Sequence, residues 1–148
     1  MDLNRPLEAV NAFEAALRSD NIAVRQDAAY GESLAYLRLG LTSKAAVAAA
    51  KAPQRAERSA ELQVAILADR ANAAFNSGRY REALVYLDQR STLQPETTDL
   101  MVLRAYALMN LGRPNDALRI FELVAETGNR DAARGLEEAR VVLGLNRN

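Results

Sequence analysis

The feature that most constrains this chain is its similarity to itself at an offset of 34 residues. Ala71 pairs with Ala105, Gly78 with Gly112, Arg79 with Arg113, Ala83-Leu84 with Ala117-Leu118, and Leu87 with Phe121. One further step from Ala105 lands on Ala139. A fixed period of this length is the signature of a repeat architecture, in which one helical hairpin cannot bury its apolar face alone and stacks on the next. Small residues recur where two helices approach closely, and a Gly recurs where a helix ends. Earlier copies carry the same pattern: Gly40 precedes Ala45-Ala46 as Gly78 precedes Ala83-Leu84, with four extra residues between the two copies. Four residues make about one helical turn, so that insertion lengthens a helix without breaking its face. The stretch from Glu8 to Leu17 matches only the second half of a unit.

Composition agrees with helices throughout. Ala and Leu account for 50 residues against 17 for Val, Ile and Thr together, and the latter lose side-chain freedom against the preceding helical turn. The expected fold class is all-α, a right-handed α-solenoid of helix-turn-helix repeats with about eight helices. The spacing predicts helices over about Arg5 to Ser19, Ile22 to Leu39, Ser43 to Ala52, Gln54 or Ser59 to Asn76, Arg81 to Leu93, Thr97 to Leu111, Pro114 to Thr127 and Arg130 to Leu143. The chain reads as one domain over 1–148: the second helix of a truncated repeat at 1–21, repeats at 22–57, 58–97 (with a long first helix) and 98–129, and a capping helix at 130–148. With half a unit at its start, it reads as a section of a longer protein.

Charge and composition then narrow the function. Lys plus Arg and Asp plus Glu number 19 each, and Cys, His and Trp are absent. A neutral chain lacks the surplus of cations that binds nucleic acid or an anionic membrane. Without His or Cys, the usual zinc sites, Ser-His-Asp triads and Cys-His pairs are excluded. No stretch reaches the roughly 18 apolar residues of a membrane span. An enzyme would have to rely on acidic pairs such as Asp69 with Asp99, which nothing in the sequence holds together. The chain is therefore expected to be no enzyme, with no catalytic residue, no metal and no cofactor.

The pattern resembles the tetratricopeptide repeat. The residues that carry the resemblance are the small side chain of the first helix (Ser33, Ala71, Ala105, Ala139), the Gly ending it (Gly40, Gly78, Gly112), and the Ala near the start of the second helix (Ala9, Ala45, Ala83, Ala117). A large apolar residue follows four positions later at Phe13, Leu87 and Phe121, and Pro95 closes one unit. The family's frequent Trp is absent, and Ala49, Asn21, Glu57 and Gly128 depart from its pattern. The phrases Gly78-Arg79-Tyr80-Arg81-Glu82-Ala83-Leu84 and Leu111-Gly112-Arg113 are also similar to periplasmic solenoids of bacterial exopolysaccharide-export and phage-receptor outer-membrane proteins. The compartment stays unknown, with the periplasm ahead of the cytoplasm.

The resemblance implies a concave groove, lined by first helices, that holds a peptide or protein. Carried over position by position, its residues are Tyr30, Leu34, Arg38, Asp69, Asn72, Phe75, Asn76, Tyr106, Met109, Asn110 and Arg140. Asn amides there can donate to and accept from a bound backbone. Two readings stand for several of these: Tyr30, Phe75 and Tyr106 either meet a partner or pack between helices, and Asn76 and Asn110 either face the groove or serve the turn two residues on. Ala68 stands where the family's carboxylate clamp needs a Lys, so that clamp is not implied. The expected function is a non-catalytic scaffold binding a protein or peptide, without nucleic acid or membrane insertion. The alternative is an assembly segment of a larger bacterial protein of the polysaccharide-export type, spacing domains or self-associating as a homo-oligomer through the open N-terminal end.

Overall fold

Five glycines show how the repeat period becomes structure. In the computed structural model, which describes residues 4–52 and 54–145, Gly40, Gly78 and Gly112 have φ of 71°, 76° and 75°. This left-handed conformation is open to Gly at little cost. Each glycine ends a first helix with the same two hydrogen bonds. The Gly N–H donates to the carbonyls of Leu37, Phe75 and Met109, and the next N–H, of Leu41, Arg79 and Arg113, to those of Tyr36, Ala74 and Leu108. Gly144 repeats the arrangement after the last helix, with the Leu145 N–H on the Arg140 carbonyl, and Gly128 also takes a positive φ of 86°. A Cβ at Gly78 meets nothing within 4 Å, so Gly78→Ala tests backbone strain alone. It is expected to lower stability by about 1–2 kcal/mol, read from urea unfolding.

Eight helices are found among the described residues, and no strand. They are α1 (Asn4–Ala16), α2 (Ile22–Arg38), α3 (Thr42–Ala49), α4 (Ala56–Asn76), α5 (Tyr80–Ser91), α6 (Thr98–Asn110), α7 (Pro114–Ala125) and α8 (Arg130–Val142). The fold is an all-helical repeat of the α-solenoid type. Two helices end three residues short of the sequence expectation. α1 stops at Ala16 rather than Ser19, because Asn21 accepts a hydrogen bond from the Ala23 N–H as the cap of α2, and Ser19 accepts one from the Asn21 N–H. α3 stops at Ala49 rather than Ala52, ahead of Pro53, which cannot continue a helix. None of the described helices is long and apolar enough to cross a membrane.

Backbone packing divides the chain into two compact units, Met1–Asp69 and Arg70–Asn148. The division falls inside α4. In the first unit α2 packs against α1 and α3, and the core is thin. Ala28, Ala29, Ala35, Ala45, Ala48 and Ala52 fill it with Val10, Leu62, Ile66 and Leu67. Ser33 occupies the small-residue position fully buried, its hydroxyl donating to the Ala45 carbonyl at 2.8 Å, so α2 and α3 approach closely.

In the second unit α6 packs against α5, α7 and α8, and α7 against α8. Ala105, Ala117, Ala132 and Ala139 are fully buried around Phe121, Val124 and Leu108. Phe121 fits because Gly135 lies against it, where a Cβ would come within 2.2 Å of the ring. Arg104, on α6, donates to Glu96 at 2.9 Å and to Asp88 at 2.7 Å, tying α6 to α5 and the segment between them. Burial works against its charge, but the bonds to Glu96 and Asp88 outweigh that and raise its pKa.

Candidate functional site

The groove positions taken from the resemblance fall into two sets, one in each unit. In the first, Tyr30 is half-buried on α2, and its hydroxyl donates to Glu61 of α4 at 3.0 Å. The Arg58 guanidinium lies 4.8 Å from its ring centre and pairs with Asp27. Arg58 and Glu61 of α4 therefore reach across to α2. Asp69 accepts from the Thr42 hydroxyl at 3.3 Å. Leu34 and Arg38 line a cleft of about 270 Å³ between α1 and α2, together with Arg5, Ala9, Phe13 and Gly31.

The remaining positions lie in the second unit. Phe75 makes an edge-to-face contact with Tyr80, ring centres 5.3 Å apart, and Tyr106 makes one with Phe121 at 5.0 Å. Met109 packs on the same core cluster as Tyr106. Asn72 and Asn76 are exposed on α4. Asn110 is exposed as well, and its amide donates to the Tyr106 carbonyl at 2.8 Å, one turn back on its own helix. Arg140 pairs with Glu137 along α8 at 3.2 Å. The three aromatic residues thus all have neighbours within the fold, and the asparagines stay at the surface.

The Tyr106 hydroxyl lies 3.5 Å from Glu138. Burial pushes its pKa above the ordinary 10.0, and the Glu138 charge adds to the rise. A raised folded-state pKa means that this group's contribution is complete below the unfolded value and is lost as pH rises through the folded one. Stability should therefore fall above about pH 10, and Tyr106→Phe should flatten that fall. Urea unfolding between pH 8 and 11 checks both.

Other polar groups escaped the sequence reading. Glu32 is fully buried on α2 and accepts from Lys51 at 2.8 Å, while its other oxygen has no partner. The hydrogen bond to Glu32 raises the Lys51 pKa. A carboxylate beside Ser33, on the small-residue stripe with Ala28 and Ala35, was the available signal for a buried ion pair. The Arg-rich hairpin turns are neutralised locally. Arg79 pairs with Glu82 and Arg113 with Asp116, both at 2.9 Å.

Helical hairpins repeated in series, with capped turns and surface asparagines, define a helical-repeat module. The chain matches the bacterial transcriptional activator domain over residues 1–137. It belongs to that family. No curated protein matches it, and no solved structure does.

Proposed function

We propose that this chain is a non-catalytic interaction module of a bacterial transcriptional activator, and that it contacts protein or peptide rather than nucleic acid. The observation that carries the choice of partner is the balance of charge, 19 Lys plus Arg against 19 Asp plus Glu, with six of those cations paired. Lys51, Arg58, Arg79, Arg104, Arg113 and Arg140 are each within 3.2 Å of a carboxylate. A cation already neutralised releases few counterions from DNA, and counterion release supplies most of non-specific affinity. The surface asparagines of α4 and α6 offer amide groups that suit a peptide backbone, and Tyr106 lies one turn from Asn110 on α6. Asp69 and Asp99, acids of the kind an enzyme without His or Cys would rely on, are engaged elsewhere: Asp69 accepts from Thr42 and Asp99 from Thr97.

The test is titration of a labelled 30-base-pair duplex at low salt. Binding weaker than about 100 μM, with little salt dependence, is expected. Micromolar binding that weakens steeply with salt would overturn the choice of partner.

A second reading, self-association, rests on α8 and the residues after it. Val141, Val142 and Leu145 are 60% exposed or more within one turn. On that reading light scattering finds a dimer that Val142→Glu dissolves, and a monomer at 100 μM rejects it.

A further inference from the structure

The cleft between α1 and α2 has an apolar floor and a cationic wall, and its chemistry is independent of the partner surface proposed above. Phe13, Leu34 and Ala9 form the floor. Gly31 is what makes room there, since a Cβ at that position would lie 2.4 Å from the Phe13 ring. Among the described residues, two arginines, Arg5 and Arg38, line the cleft and no acidic side chain does; Arg5 already has a partner, so Arg38 is the cation on offer. Arg38 is exposed and makes no ion pair among the described residues. A guanidinium offers a planar fork of donors that matches a carboxylate. Small-molecule sites are typically concave and mostly apolar, with a few polar groups to fix orientation.

We propose that this cleft binds a small carboxylic acid with an apolar body, the carboxylate on Arg38 and the body over Phe13 and Leu34. Size argues for a small molecule. A cleft of about 270 Å³ suits a medium-length acyl chain or one aromatic ring. Charge complementarity argues for an acid over a neutral compound, because a carboxylate would meet the guanidinium of Arg38, which makes no ion pair among the described residues. In a regulatory domain such a site would let an organic acid bias the module's conformation or its contacts, provided the acid binds one state better than another.

The experiment is an amide NMR titration of the whole chain with octanoate, 1-octanol and acetate. Octanoate is expected to shift the amides of Ala9, Gly31, Leu34 and Arg38 in a saturable way. Octanol, lacking the charge, and acetate, lacking the body, should bind about tenfold more weakly or worse. Arg38→Gln should weaken octanoate by a similar factor, while Arg81→Gln on α5 leaves it unchanged. Ala9→Leu, which fills the cleft and keeps Arg38, should abolish the shifts; helicity by circular dichroism checks that each variant is folded. Equal binding of octanol and octanoate, indifference to Arg38→Gln in a folded chain, or shifts confined to other helices would overturn the assignment.

Discussion

Replacing Phe121 by Ala is expected to cost about 3–5 kcal/mol, the usual range for emptying a large buried aromatic site. Phe121 is fully buried, makes an edge-to-face contact with Tyr106, and sits in the cluster formed by Val102, Leu108, Ala117, Ala132 and Ala139. The small side chains around it are already alanines, which cannot extend to fill the space. Domains of this size are stable by about 5–15 kcal/mol, so the loss brings the second unit close to unfolding. Urea unfolding followed by circular dichroism measures it. A cost below about 1 kcal/mol would mean that Phe121 is not the residue around which that unit packs.

Gly135→Ala should act on the same contact from the other side. In an ordinary helix interior this change would stabilise by about 1 kcal/mol, since Gly is the poorer helix former. Here the added Cβ would fall 2.2 Å from Cε1 of Phe121 and 2.4 Å from Cζ. Both lie well inside van der Waals contact, and overpacking of this kind typically costs about 1–3 kcal/mol. The net sign is therefore destabilising, against propensity. Phe121→Leu in the same chain should relieve part of that cost, so the double variant should be more stable than the sum of the two single effects predicts. Strict additivity would contradict the close approach, as would a stabilised Gly135→Ala.

These two residues also mark where sequence reading ended. Ala71, Ala105 and Ala139 recur at the repeat period and are all fully buried. Gly78 and Gly112 recur with them and make the same capping bonds. A period reports what each unit does in common, and it was legible for that reason. Gly31 and Gly135 lie inside helices, occupy different places in their units, and serve one aromatic ring each. Nothing periodic marks them. Glu32 and Lys51, and Arg104 with Glu96 and Asp88, are likewise pairings particular to one unit.

The candidate site was legible only as positions. Helical phase located Tyr106 and Tyr30 on first helices, but whether a ring meets solvent or a neighbour depends on the size of what stands opposite. Phe121 receives the ring of Tyr106, and Arg58 lies over that of Tyr30. Leu34 and Arg38, read as groove residues, line a cleft against α1. The Ala-rich α3 lets neighbours come close. The buried Ser33 to Ala45 hydrogen bond is how α2 does so.

Photo-crosslinking from the surface asparagines tests the central claim most directly. A photoreactive phenylalanine analogue is placed at Asn76 and at Asn110 of the protein in its own cells, and adducts are sorted by protease and nuclease sensitivity. A module that works through protein contact should give discrete adducts that protease removes and nuclease leaves intact. Nuclease-sensitive adducts, or none from either position, would contradict it.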